Sequence, residues 1–140
     1  DMRFAPYPPF RATVLMAVAI YGNFYAHHFL PDIRMGLFAA TVLLFASTRI
    51  WFRIGERSYW MPLPVAAFLS SFFLWLAENI GTSTKTWLYN GQASGEWVNL
   101  AKMGSWYLLL HVSFVTVTLV FREALSPTAT PARQMQNARQ

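Results

Sequence analysis

Four apolar stretches, at about residues 11–30, 35–52, 61–80 and 98–121, take up most of this chain. Each is close to the roughly 20 residues a helix needs to cross a hydrocarbon core about 30 Å thick. No other feature narrows the fold as tightly, because a backbone in lipid must satisfy its own hydrogen bonds. The expected fold class is all-α: a polytopic membrane protein with a bundle of four transmembrane helices over residues 1–121. Residues 122–140, rich in Pro, Thr, Ala, Gln and Arg, read as a polar cytoplasmic tail, disordered when alone. Charged residues make up only 12% of the chain, about half the share in an ordinary soluble domain.

Punctuation supports these bounds. Pro6, Pro8 and Pro9 block a helix before Phe10. Arg3, Arg11 and Ala17-Val-Ala19 resemble parts of a secretory signal, but the apolar run Ala12–Met16 is shorter than the roughly 7–15 residues such a signal uses. The first stretch therefore reads as a membrane helix. It turns polar at Tyr21, Asn23, Tyr25, His27 and His28, then stops at Pro31. Asp32 and Arg34 lie in the turn that follows. Gly36 and Ala40 form a small-xxx-small pair, which allows close helix approach. Trp51, between Arg49 and Arg53, has the character of an interfacial anchor. Residues 53–60 read as a short polar connection. Pro62 and Pro64 suit the first turn of the third helix, and Gly81 suits its end. The loop at 82–97 carries Trp87, Tyr89 and an Asn90-Gly91 turn signal.

Charge assigns an orientation. With four spans, Arg3, Arg11, Arg49, Arg53, Arg57, Arg122, Arg133 and Arg139 share one side, and Arg34, Lys85 and Lys102 the other. Eight against three places both termini in the cytoplasm of a bacterial inner membrane. The formal charge of +5 is thus topogenic; it is scattered between apolar runs rather than clustered as a nucleic-acid surface requires. There is no cysteine, which excludes disulfides, thiolate metal sites, Fe–S clusters and a Cys nucleophile.

The polar groups inside or beside the apolar runs are the candidate functional residues. Glu78 and Lys102 read as a structural ion pair joining the third and fourth helices, with an acid/base or polar-ligand role as the alternative. Trp75 shares the helix face of Glu78. His27 and His28 are adjacent and diverge by about 100° on a helix, so one ion cannot readily take both. One of them with Asp32 and Glu78 is a candidate metal set, and hydrogen bonding to the turn is the simpler role. His111, two and a half turns past Lys102, points away from it. Its expected role is a hydrogen bond to Ser70 or Ser71 across a helix seam; axial ligation of a haem- or chlorophyll-type pigment is the alternative. His27, His28, His111, Trp75 and Trp106 are together the candidates for ligand or pigment contact. No phosphate loop, supported Ser-His-Asp set or zinc-protease motif is present.

Tyr25-Ala-His-His-Phe-Leu-Pro-Asp-Ile-Arg34, Ala77-Glu-Asn-Ile-Gly-Thr82 with Trp87, Tyr89 and Gln92, and Lys102-Met-Gly-Ser-Trp106 together resemble a bacterial membrane-protein family known as domain of unknown function 817. The likeness runs from about Tyr7 to Arg122. Members of that family are typically about twice as long, so the resemblance is to their C-terminal half, and Asp1 in place of Met fits an internal or processed start. The resemblance implies a membrane location and no reaction. In layout the chain also resembles integral-membrane lycopene cyclases, without a catalytic motif that would carry their chemistry across.

Two function classes follow. One is a non-enzymatic accessory subunit, packing in the bilayer against other membrane proteins or pigments. The other is an enzyme or carrier for an isoprenoid- or carotenoid-like substrate, with its polar site at the outer face.

Overall fold

A computed structural model describes residues 2–26, 29, 31–87, 89 and 96–125. The element order is β1 (Met2–Ala5), α1 (Phe10–Ala26), α2 (Arg34–Phe45), β2 (Arg49–Ile54), β3 (Arg57–Pro62), α3 (Leu63–Ser83), α4 (Ala101–Val120) and a short 3-10 helix (Arg122–Leu125). The all-α, four-span expectation is overturned. The three strands form an antiparallel sheet in the order β1-β2-β3. Among the described residues only α3 and α4, with 21 and 20 residues and a mean hydropathy of 1.5, are long and apolar enough to cross a membrane.

Among the described residues the first two expected spans are shorter than a membrane crossing. The helix of α1 has 17 residues, and the candidates His27 and His28 lie outside the described residues. The second has 12 residues, which reach about 18 Å at 1.5 Å each. It gives way at Ala46-Ser47-Thr48, and Arg49-Ile-Trp-Phe-Arg-Ile54 is extended. An apolar run does not reveal its own period when it is short. The alternation of Arg49, Trp51 and Arg53 with Ile50, Phe52 and Ile54 is a strand pattern, and the β-branched and aromatic residues favour it.

The expected polar connection at 53–60 is a β-hairpin. Ile54 pairs with Arg57 across Gly55-Glu56, and Gly55 has φ 57°. A two-residue hairpin with its first central residue at positive φ takes glycine there. Cross-strand partners share a face. Arg3, Trp51 and Trp60 lie on one side with Arg49 and Arg53, while Phe4, Ile50 and Met61 lie on the other. The first face is exposed, and the Arg49 guanidinium sits 4.3 Å from the Trp60 ring centroid. The second face meets the bundle, with Phe4 edge-on to Phe114 at 4.9 Å.

Helix α4 is the centre of the packing. Ile20 of α1, Leu37 of α2, and Tyr107 and Leu108 of α4 form one buried cluster. Phe45, Leu63 and Val115 form a second beside the sheet. Tyr7 closes that end, its hydroxyl 2.8 Å from Thr118 Oγ1. The small-xxx-small expectation for α2 does not hold, since a Cβ on Gly36 would meet nothing within 4 Å. Gly81 is likewise no helix stop. Helix α3 runs on to Ser83, and the Trp87 ring lies where a Gly81 Cβ would be. The apolar windows of α3 and α4 are each only 28% buried, so most of their hydrocarbon faces outward.

Candidate functional site

The polar groups gather at the end of the bundle opposite the sheet, in two networks. The first hangs on the last turns of α3. Glu78 and Asn79 are buried there, at 9% and 8% exposure. Both polar atoms of the Asn79 amide are engaged: its Nδ2 donates to Trp75 O at 2.8 Å, and its Oδ1 accepts the Val98 N–H at 2.8 Å. Trp75 Nε1 donates to Val98 O at 2.9 Å. Both backbone polar groups of Val98 are therefore met by side chains of α3, one turn apart, and this fixes the chain's return before α4. Asn79 is a clamp for the loop, not a reactive amide.

Glu78 does not pair with Lys102. Tyr89 stands between them. Its hydroxyl donates to Glu78 Oε1 at 2.5 Å, and Lys102 Nζ lies 3.4 Å from its ring centroid. The Tyr89 phenol is pushed up to about 12, by burial first and by the Glu78 hydrogen bond and charge next. Glu78 Oε2 is buried with no partner, so one acceptor remains open.

The second network joins α1, α2 and α4. Arg34 Nε and Nη2 each approach Asp32 Oδ2 at 2.6 Å. Arg34 N–H donates to Asp32 Oδ1 at 3.0 Å. Asn23 Nδ2 donates to Asp32 Oδ1 at 3.4 Å, and its Oδ1 accepts the Ile33 N–H. Arg34 also reaches Ser105 Oγ at 3.4 Å. The Arg34 side chain, followed by its backbone N–H, holds the Asp32 carboxyl down at about 2. Asp32 is committed to Arg34 and Glu78 to Tyr89; the histidines of the candidate metal set, His27 and His28, lie outside the described residues. Among the described residues no three carboxylate or imidazole groups converge on one point.

A cleft of about 340 Å³ opens between α1, the start of α2 and α4. Arg34, Lys102, Ser105 and Trp106 supply its polar wall, and Ile20, Phe24 and Leu109 its apolar one. Trp106 Nε1 is buried without a partner. Glu78 is not on this wall. A smaller cavity of about 210 Å³ lies beside Asn79, between α3 and Trp97.

His111 is separate from all of this. It is 2% exposed, packed between Tyr107 and Phe45. The seam expected with Ser70 or Ser71 does not form. Ser71 donates to Phe68 O, and His111 Nδ1 lies 2.9 Å from Tyr107 O in its own helix. The residues that reasoning from the sequence missed as site members are Tyr89, Arg34, Ser105 and Val98. Tyr89 is one of three aromatics, with Trp87 and Trp97, in the loop between Glu78 and Lys102, and nothing in the sequence singles it out from them.

No solved structure matches this chain. It is 42% identical over 113 residues to the Bacillus subtilis (strain 168) protein called Uncharacterized protein YoaT. That match takes in 79% of this chain and 42% of the relative's length. A family model, Protein of unknown function (DUF817), matches residues 1–114, a range that takes in both polar networks and the sheet. The chain belongs to the DUF817 family.

Proposed function

We propose that this chain is a membrane-embedded, non-enzymatic module that packs against further membrane segments in a larger assembly. The observation that carries this reading is the outward hydrocarbon of all four helices. Leu15, Val18, Met35, Leu43, Phe73 and Val120 are each more than 60% exposed. Isolated in water, such a surface would aggregate. Lipid suits α3 and α4, which are long enough to span. It suits α2 less well, because a helix of about 18 Å ends inside a hydrocarbon core of about 30 Å, where free backbone groups are not tolerated facing lipid. Protein is the better cover for that end. The relative's greater length, of which this chain spans 42%, is one source of such cover.

The sheet favours a definite orientation. Arg3, Arg49, Arg53, Trp51 and Trp60 on its exposed face have the chemistry of a membrane–water interface. Arg57 and Arg122 lie at the same end, and Lys85 and Lys102 at the other. This bias favours a cytoplasmic sheet end in a bacterial inner membrane, with β1 and the 3-10 helix on that side. Because the chain has no cysteine, single cysteines at Ser58 and Ser83 test it directly. An impermeant maleimide should label Ser83→Cys in intact cells and Ser58→Cys only after permeabilisation. Labelling of both from outside would overturn the arrangement. A photo-crosslinker at Val18 or Met35 in native membranes should give discrete protein adducts; adducts to lipid alone would sink the assembly reading.

The cleft supports a second reading, a carrier or enzyme for an isoprenoid- or carotenoid-like molecule. Its mixed wall would hold an apolar tail with a polar head at Arg34 and Lys102. Gentle purification followed by mass spectrometry and an absorbance spectrum separates the readings. Co-purifying subunits, alone or with carotenoid or chlorophyll/haem-type bands, favour the assembly; a lone protein carrying a bound isoprenoid favours the cleft.

A further inference from the structure

The exposed face of the sheet gathers charge that is scattered along the chain. Arg3 of β1 pairs opposite Trp51 of β2, and Arg49 and Arg53 are the flanking residues of β2 on that face. Diagonal neighbours of this kind lie about 7–8 Å apart across a ladder, so Arg3 is close to both. Trp51 pairs in turn with Trp60 of β3. The three arginines are exposed, and the two indoles are 38% and 49% exposed. Ala5, Ser58 and Pro62 complete the face, so it holds no carboxylate.

The charge on this face is not neutralised. Among the described residues none of these arginines has an ion-pair partner, and the pair that forms, Arg34 with Asp32, is at the other end of the bundle. Arg49 lies instead over the Trp60 ring, at 4.3 Å. Like charges held this near repel one another. An anion between two guanidinium groups relieves that repulsion, and the planar arginine fork matches phosphate oxygens in pairs.

The position of the sheet selects the anion. Phe4, on the inner face of β1, meets Phe114 edge-on at 4.9 Å. Phe114 lies six residues before the end of α4 at Val120, about 9 Å back along the helix. The sheet therefore lies along the flank of α4 rather than across its end, and its outer face looks sideways. In a bilayer that direction is the headgroup layer and the top of the acyl chains. Arginine stems carry their charge from there to the level of the phosphates, and indoles belong at the same depth.

We propose that the outer face of the sheet is a binding site for an anionic phospholipid. Arg3, with Arg49 and Arg53 on either side, holds the phosphate, and the start of an acyl chain lies along Trp51 and Trp60. The site rests on the membrane-embedded reading of the chain and goes beyond it, because the partner is a lipid of defined charge at a defined face.

The test uses the full chain in phosphatidylcholine vesicles, doped in turn with phosphatidylglycerol or phosphatidylcholine brominated on the acyl chains. Bromine quenches a tryptophan that its chain touches, so quenching against lipid fraction gives the relative association of the two lipids. A basic residue beside an anionic leaflet is worth about fivefold, and phosphatidylglycerol should be preferred by about that factor or more. This comparison needs no variant. Arg3→Gln/Arg53→Gln should then bring the two lipids within about twofold of each other. Arg57→Gln/Arg122→Gln removes the same charge from the same end but off this face, and should keep the preference. Equal quenching by the two lipids in the unaltered chain would overturn the site while leaving the membrane reading in place, and the face would then suit an acidic protein segment. A preference lost equally in both double variants would overturn it too, as attraction to net charge alone. Quenching by neither lipid would remove the membrane placement, and the site with it.

Discussion

The Tyr89 hydroxyl donates to Glu78 Oε1 at 2.5 Å, and Lys102 meets the same tyrosine through its ring rather than meeting the carboxylate. Tyr89 therefore carries the coupling between α3 and α4 at this end. Tyr89→Phe leaves both Glu78 oxygens without a partner and should cost about 1–3 kcal/mol. Lys102→Gln removes a cation–π contact worth about 0.5–1 kcal/mol. Double-mutant cycles on unfolding in detergent should show larger coupling for Glu78 with Tyr89 than with Lys102. The reverse order would mean the ion pair forms after all.

The same contact has an alkaline signature. The Tyr89 phenol is raised from 10 to about 12, so the folded state holds this proton more tightly than the unfolded one. Its contribution is fully present below about pH 10 and is lost as pH rises through about 12. The stability difference between the chain and Tyr89→Phe should shrink across that window. A difference constant to pH 12 would show that Tyr89 is not held this way.

Asn79 clamps the loop through Val98. Asn79→Leu strands a buried backbone N–H and should cost about 1–3 kcal/mol, with faster proteolysis between residues 84 and 97. Asn79→Asp keeps the acceptor and should restore part of the protection. Unchanged cleavage in Asn79→Leu would refute the clamp.

Gly81 is required by Trp87 rather than by helix termination. A methyl group there runs into the indole, and overpacking of this kind costs about 1–3 kcal/mol. Gly81→Ala should be destabilising, and the loss should be largely absent when Gly81→Ala is made in a Trp87→Ala background. Equal losses in the two backgrounds would remove Trp87 from the explanation.

Asp32 gives the opposite pH behaviour from Tyr89. Arg34 lowers its pKa to about 2, so its contribution is present above about pH 4 and lost as pH falls through about 2. The stability gap between the chain and Asp32→Asn should be flat from pH 7 to about 4 and close below that. Both partners are well exposed, so the gap itself should be small. A gap that opened on acidification would contradict the pairing.

Much of the helical content is readable because an apolar run of 20 residues bounded by proline or glycine has few alternatives. Pro62 and Pro64 do flank the start of α3 at Leu63, and α4 fills most of the stretch expected at 98–121. The reading failed where the run was ambiguous. Ile50, Trp51 and Phe52 are as apolar as a span end, and only the alternating arginines and the Gly55-Glu56 turn signal a hairpin. At the site, reasoning from the sequence brought Glu78 and Lys102 to one end but could not find Tyr89 between them, because loop residues have no period from which to infer direction.

The sequence by itself determined the high apolar content, the helical nature of most of residues 61–80 and 98–121, and the separation of His111 from Lys102 by the pitch of one helix. These follow from local spacing and transfer energetics, which act without long-range contacts. Only the tertiary structure decided that β1 pairs with β2 across 43 intervening residues or more, that Tyr89 replaces an ion pair, and that His111 packs between Tyr107 and Phe45. Each depends on which distant segments meet, and hydrophobicity, being non-directional, does not specify that on its own.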